Sequence, residues 1–348
     1  MWDEVIGHKE TKQFLQNMLA EGHRTPSLLF YGPAGIGKGK MALEFAKSFM
    51  CLKNPLIKCH CKSCTAFENN AHPDLIHVWP QGSSHTIQIE QVKQLVKDAA
   101  FSPIISHYKV CIIHEAERFR IEAANAILKL LEEPPEYWLF ILVSDQPELL
   151  LPTILSRVIK IKFEPLNFNE VKRVLASIKP EGEQIPIRLK ETYRENVINE
   201  WNRNQNVLAS LAGGSAGKAL DMFRLDALTL REQLVSLLEK TDSDQLMVYM
   251  ANLAWLDKKD TQESSLLIEL LTLLVRDGLL LMQNIPAPLY NEDMTQRLLR
   301  CFRDWSPARL RRSLDLLEEA RRGIQSFVGR RLVMECLFLQ LRRLRKEN

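Results

Sequence analysis

The chain has 348 residues, 46% of them hydrophobic and 26% charged, with a net charge of +3. This is the balance of an ordinary soluble protein of two or three domains at roughly 150 residues each, and the charge argues neither for nor against nucleic acid. No apolar run reaches the ~18 residues of a membrane span, and Met1-Trp2-Asp3-Glu4 lacks the basic-then-apolar order of a secretory leader, so a cytoplasmic location is expected.

Val5-Ile6-Gly7-His8 comes first, ahead of a helical pattern from Glu10 to Leu19. Such an apolar-Gly element lines a nucleotide base in some folds and merely turns the chain into a helix in others. Leu28 to Tyr31 predicts a buried strand and Met41 to Met50 a helix. Between them lies Gly-Pro-Ala-Gly-Ile-Gly-Lys-Gly, from Gly32 to Gly39. Strand, G-x-x-x-x-G-K, helix is the context of a phosphate loop. Gly32, Gly35 and Gly37 let backbone N–H groups turn inward around an anion. The helix adds its positive end, and Lys38 reaches the β/γ-phosphates. The next position holds Mg²⁺ through a Ser or Thr hydroxyl in a working loop, and here it is Gly39.

Cys51, Cys59, Cys61 and Cys64 follow the loop helix. Four soft ligands this close predict a tetrahedral zinc knuckle, with His60 as the one substitute ligand. Filled by four protein ligands, the site is structural and not catalytic. His72-Pro73-Asp74 punctuates the next join. Leu75 to Trp79 reads as a strand, Ile87 to Val96 as an amphipathic helix and Lys109 to Ile113 as a buried strand. In a phosphate-loop ATPase that last strand ends in Asp-Glu, where the Asp holds Mg²⁺ and the Glu polarises water. Here His114 stands in place of the Asp, while Glu115 remains. The plain alternative for Glu115 is a carboxylate at a helix start.

Ile121 to Glu133 predicts a helix stopped by Pro134-Pro135. Leu139 to Val143 is a fourth strand ending at Ser144-Asp145, and Val158 to Phe163 a fifth, just after Ser156-Arg157. Strands alternating with helices imply a parallel sheet covered on both faces. Asn167 caps a helix from Asn169 to Leu175. Pro180 to Gln205 reads as a polar, interrupted insertion with helix-like turns from Tyr193 to Trp201. After Gly213-Gly214, a helix runs from Lys218 to Phe223. Apolar spacing of three and four then predicts helices over Leu228–Leu238, Gln245–Trp255 and Ser264–Met282. Ser306-Pro307 opens another, and Arg330 to Arg345 is the last. Gln296 to Asn348 holds 14 Lys/Arg against 6 Asp/Glu. These read as solvated faces and subunit contacts more than as a nucleic-acid surface. Cys301 and Cys336 read as buried thiols.

Gly-Pro-Ala-Gly-Ile-Gly-Lys, the four-cysteine insertion, Ala-His-Pro-Asp, Ala-Asn-Ala-Ile-Leu-Lys-Leu-Leu-Glu-Glu-Pro-Pro and Leu-Ser-Arg occur in that order. Together they resemble the clamp-loader branch of the AAA+ ATPases, and within it the bacterial DNA polymerase III delta-prime family. The specific motifs cover residues 1–165, and Gly-Gly-Ser-Ala-Gly-Lys-Ala-Leu, from Gly213 to Leu220, extends the match.

The resemblance implies an α/β plus all-α chain. Residues 1–165 form an AAA+ phosphate-loop domain with the knuckle at 51–64, residues 166–225 a helical lid, and residues 226–348 a helical collar. It also implies partners: gamma/tau-type and delta-type subunits in a hetero-pentamer, the sliding clamp and primed DNA, with no membrane. It carries a trans-acting arginine finger to Arg157, although Val158 stands where the family has Cys. Motors of the family keep a metal-binding hydroxyl, an Asp-Glu pair and an arginine in the helix after the Gly-Ser turn. Gly39, His114 and Gly217 depart at those three places. Structural zinc is therefore the expected cofactor, with no Mg²⁺ site and no useful hydrolysis at this loop. Weak phosphate or nucleotide binding stays open, because Gly32, Gly35, Gly37 and Lys38 are intact. Polymerase activity would belong to the assembly. Two alternatives remain: an active gamma/tau-like motor using Glu115 or Asp145 for the metal, and a zinc-containing DNA-binding AAA+ protein.

Overall fold

Five short runs rich in Leu, Ile, Val and Phe pair into one parallel sheet. In the computed structural model, which describes residues 2–21, 27–53, 59–82, 84–186, 189, 194–239, 261–325 and 329–346, these are β1 (Leu28–Tyr31), β2 (Leu75–Val78), β3 (Lys109–Ile113), β4 (Trp138–Ser144) and β5 (Ile159–Lys162). Their order is β2-β3-β4-β1-β5, and every neighbouring pair is parallel. The glycine-rich loop of the sequence follows β1 directly. The strand alternation sorts side chains to two faces. Leu28, Phe30, Val110, Ile112, Leu139, Ile141 and Val143 join one core with Leu15, Met41 and Phe45. Leu29, Cys111, Ile113, Phe140 and Leu142 join the other with Val92, Leu95, Ile127 and Leu131. The first face is covered by α1 (Lys9–Ala20) and α2 (Lys38–Phe49), the second by α4 (Ile89–Asp98) and α5 (Ile121–Glu132). The short helices α3 (Lys62–Glu68) and α6 (Pro152–Leu155) complete this part. β5 is an edge strand, and its outward Lys160 and Lys162 discourage further pairing.

The chain divides into two compact units. The first is Met1–Val174 with Gly214–Gly217, and the second is Leu175–Gly213 with Lys218–Asn348. Helix α7 (Phe168–Ser177) starts in the first. Asn167 caps it as expected: its Oδ1 accepts the Glu170 N–H at 2.9 Å, and Glu170 Oε2 accepts the Asn167 N–H at 3.0 Å.

Helices make up the second unit: α8 (Arg194–Leu211), the body of α9 (Ala216–Arg224), α10 (Ala227–Glu239), α11 (Thr261–Met282), α12 (Thr295–Cys301), α13 (Pro307–Gln325) and α14 (Arg330–Lys346). Two expectations need correction. From Arg194 to Gln205 the chain is not interrupted, because α8 runs unbroken for 18 residues. Its buried stripe is Val197, Trp201, Gln205 and Leu208, and a polar Gln in that stripe hides the helical period. Trp201 Nε1 donates to Ile178 O at 3.0 Å and anchors the helix. Cys336 is exposed, unlike the buried Cys301. The helix expected over 245–255 lies outside the described residues, as does Tyr193 at the start of the 193–201 turns.

Arg231 binds Asp293 through both guanidinium ends at 2.9 and 2.6 Å. The fully buried Asp277 accepts the Asn291 N–H at 2.7 Å. The basic end is laced by local pairs: Arg321 and Arg322 with Glu318, and Arg331 with Glu335. Such exposed pairs contribute a few tenths of a kcal/mol each, about 0.3–0.5. Among the described residues no helix is long and apolar enough to cross a membrane.

Candidate functional site: a phosphate loop with a rebuilt metal end

In a parallel sheet all strands end at one edge, and ligands gather there. Here that edge carries the phosphate loop after β1, Trp79 after β2, His114 after β3 and Asp145 after β4. Gly32 opens the loop at φ 144°, where an added Cβ would fall 2.3 Å from Phe163 O, so no side chain is admitted.

Five consecutive loop carbonyls are engaged. Lys38 Nζ donates to Gly32 O at 2.7 Å and Pro33 O at 2.6 Å. Ser215 Oγ donates to Ala34 O at 2.8 Å, the Gly217 N–H donates to Gly35 O at 2.9 Å, and His8 Nε2 donates to Ile36 O at 2.8 Å. With these carbonyls taken up by partners, the glycine-rich backbone of the loop is held in one conformation. Burial pushes the pKa of His8 down, which suits a neutral ring donating to a carbonyl.

Sequence reasoning missed what happens to Lys38. Its ammonium pairs with Asp145 Oδ1 at 2.6 Å. Only 4% of the residue is exposed. Three acceptors take the three ammonium protons, so the cation is spoken for within the chain.

Beside Gly39, where the sequence lacks a hydroxyl, lie aromatic rings. His114 lies against Trp79 with centroids 3.6 Å apart and planes 1° from parallel. Its Nε2 is 3.1 Å from His77 Nδ1. Burial, then the neighbouring His77, push its pKa down to about 4, so the imidazole is neutral at physiological pH. A Cβ at Gly39 would sit 3.8 Å from this ring, in ordinary contact. A hydroxyl side chain therefore fits at position 39, but its partner would be a neutral imidazole where Mg²⁺ seeks a carboxylate oxygen. Glu115 is also committed. It has φ 48°, and its Oε2 is 3.0 Å from His85 Nε2 and 3.6 Å from Arg118 Nε. Gly217 packs too closely for a side chain, since a Cβ there would come within 2.7 Å of Gly35 Cα.

Arg157 lies at the opposite edge of the sheet. It precedes β5, which pairs with β1 from Leu28↔Ile159 onward. The phosphate loop leaves the far end of β1, a strand length of about 13 Å away at roughly 3.3 Å per residue. Arg157 Nε donates to Glu132 Oε2 at 3.2 Å and Nη1 to Thr153 O at 3.0 Å. Its side chain is 30% exposed. Its placement at the start of β5 does not suit service to its own loop.

The ligand atoms of Cys51, Cys59, Cys61 and Cys64 lie within 4.8 Å of one another. Tetrahedral thiolates at about 2.3 Å from zinc are about 3.8 Å apart, so a small contraction closes the site. Burial raises the Cys61 thiol, but hydrogen bonds from the Cys64 and Leu52 backbone and from neighbouring thiols outweigh it, bringing Cys61 down to about 6. Burial and the neighbouring thiols push Cys64 up. Four thiols gathered this closely, with Cys61 eased toward thiolate, are a donor set that fits a thiophilic ion. His60 is not part of the cluster.

Comparison with known proteins agrees on the first half of the chain. Residues 7–167 match the family described as DNA polymerase III, delta subunit. DNA polymerase III subunit delta′ of Bacillus subtilis is 37% identical over 155 residues, 44% of this chain and 46% of that protein. DNA polymerase III subunit tau/gamma of Haemophilus influenzae is 32% identical over 177 residues, 50% of this chain and 25% of that protein. A solved DNA polymerase III gamma subunit-related protein from Thermotoga maritima covers 95% of this chain and 99% of its own at 20% identity, with a TM-score of 0.45. The matched region spans under half the length of these curated relatives. The chain resembles the clamp-loader subunits of DNA polymerase III, of the delta-prime type.

Proposed function

We propose that this chain is a non-motor, delta-prime-like subunit of a DNA polymerase III clamp loader. It joins gamma/tau-type and delta-type subunits in a ring of five that places the sliding clamp on primed DNA. Its own phosphate loop turns over no ATP. Arg157 crosses to a neighbour's ATP and stabilises the charge that develops on the transferred phosphoryl. Cys51, Cys59, Cys61 and Cys64 hold a structural zinc, which supplies folding energy and no chemistry. Residues 166–225 act as lid and 226–348 as collar.

The observation that carries this reading is the metal end of the loop. Mg²⁺ bridges the β- and γ-oxygens in every working site of this class and neutralises the charge that develops there. Gly39 offers no ligand, His114 is neutral and stacked, and Asp145 is bound to Lys38. A gamma/tau-like motor would need Asp145 to release Lys38 and take up the metal.

ATP turnover by the reconstituted loader, with clamp and primed DNA, tests the proposal. Arg157→Ala should remove about 10³-fold or more at the one site it serves. Lys38→Ala, in a chain that still assembles, should leave turnover near wild type. Wild-type turnover with Arg157→Ala would overturn the finger. Mg²⁺-dependent hydrolysis by the isolated chain, lost with Lys38→Ala, would establish the motor reading.

A further inference from the structure

A network of hydrogen bonds joins the backbone beside the cysteine cluster to an exposed loop. Met50 immediately precedes Cys51, and its carbonyl accepts two hydroxyls, Ser63 Oγ at 2.8 Å and Ser106 Oγ at 3.0 Å. Ser63 lies between Cys61 and Cys64 and is fully buried. The Asp74 N–H donates to His72 Nδ1 at 3.1 Å. Nδ1 is therefore an acceptor, and the ring proton sits on Nε2. Nε2–H then donates to Ser63 Oγ at 3.0 Å, while the Ser63 hydrogen goes to Met50.

The buried Asp74 carboxylate accepts the N–H groups of Ile104 at 2.7 Å, Ile105 at 2.7 Å and Ser106 at 3.0 Å. Ser106 Oγ takes the Tyr108 N–H at 3.2 Å. Each of these donors has one acceptor, and the network has one orientation. Buried networks of this kind specify one conformation when complete and cost most when cut.

The loop at the far end is neither helix nor strand between Asp98 and Lys109. Its polar backbone is held from inside, while Phe101 is 66% and Ile104 75% exposed. It is an ordered display of apolar side chains whose order comes from Asp74 and Ser106.

We propose that the metal held by Cys51, Cys59, Cys61 and Cys64 sets the conformation of the 101–108 loop through Met50, Ser63, His72 and Asp74. Drawing the thiols together fixes the Met50–Cys51 turn and the start of α3, and these fix the Met50 carbonyl and the Ser63 hydroxyl. His72 and Ser63 are positioning residues of the metal centre, the outer partners that metal sites recruit beyond their ligands. Loading the metal presents Phe101 and Ile104 in one arrangement, and removing it releases them.

Hydrogen exchange on the full chain, read by mass spectrometry, tests this. Zinc-loaded protein is compared with protein stripped by EDTA, and both with zinc-loaded Ser63→Ala. On stripping, the amides of Ile104, Ile105 and Ser106 should exchange about three- to tenfold faster, the equivalent of one net hydrogen bond. The β4 amides should not change. Zinc-loaded Ser63→Ala should keep its zinc and show the fast loop. Loop protection that ignores the metal while the α3 amides respond would overturn the coupling. So would a slow loop in zinc-loaded Ser63→Ala, or a chain that takes up no zinc. If Ser63→Ala fails to fold, Ser106→Ala replaces it, cutting the loop-side contact to Met50 with the same two outcomes.

Discussion

Whether Lys38 is committed to its own chain can be measured with Asp145→Asn. The change keeps the side chain's shape and removes its charge. Lys38 is left 4% exposed with two carbonyl acceptors and no counter-ion. Breaking a fully buried pair costs about 3–5 kcal/mol. Asp145 is 36% exposed, so water screens part of this and the expected loss is about 1–2 kcal/mol. Lys38→Met removes the cation and makes the Asp145 charge dispensable. In a double-mutant cycle the two costs should fall short of additive by about 1 kcal/mol or more. The chain has two compact units, and one melting temperature would blur them. Native-state hydrogen exchange at the β1 and β4 amides reports the sheet unit alone. If the two costs add to within about 0.5 kcal/mol, the ion pair is ornamental and Lys38 is free for a phosphate.

Gly217→Ala should destabilise the sheet unit by about 1–3 kcal/mol, because its Cβ meets the Gly35 backbone at 2.7 Å; a smaller loss by hydrogen exchange at the β1 and β4 amides would mean the loop yields there. His114 titrates near 4 in the fold against 6.5 when free. Between those values the unfolded chain binds the extra proton, so this stability is whole above pH 6.5 and drains as pH falls toward 4, by up to about 3 kcal/mol. His114→Phe should flatten that part of the stability–pH curve, and an unchanged slope would refute the assignment. Arg157→Ala should change the stability of the isolated chain by less than about 1 kcal/mol, since its pair with Glu132 is exposed; a large loss would make Arg157 a structural residue.

The sheet was legible because its strands are contiguous apolar runs. Leu28–Tyr31 and Lys109–Ile113 agree with expectation at both ends, and the other strands differ by a residue or two. The cysteine cluster was legible because its ligands are close in sequence, with spacing alone bringing the four together. The partners of His114 were not. His77 and Trp79 reach it only because β2 pairs with β3, and no local pattern announces a ring stack between strands more than 30 residues apart. Ser215 and Gly217 meet the phosphate loop across 181 residues in the case of Ser215. The motif Gly-Gly-Ser-Ala-Gly marked a turn, but its use as a clasp on the loop carbonyls is a tertiary fact. The long helix α8 was hidden by polar residues in its stripe, where Gln205 is 9% exposed.

On the proposed function the two edges of the sheet serve different uses, and the physics of each gives a reason to keep a loop that turns over no ATP. At the edge where strands end, the loop still has its glycines, its helix and its lysine, yet every charge is answered from within. Lys38 meets Asp145, Glu115 meets His85 and Arg118, and His114 is neutral and stacked. The loop's five engaged carbonyls tie together α1's entry through His8, the lysine at the start of α2, and Ser215 and Gly217 at the start of α9. A segment that binds so many parts of its own domain is a structural joint, and losing it would cost stability whether or not phosphate ever entered. At the other edge Arg157 has the opposite surroundings. Its partners are one exposed carboxylate, one carbonyl and one hydroxyl, a loose hold that suits the proposed service to a neighbour's triphosphate. An arginine that serves another chain needs a rigid base and a loosely held head group. The joint at one edge supplies the first, and the exposed pairing at the other supplies the second.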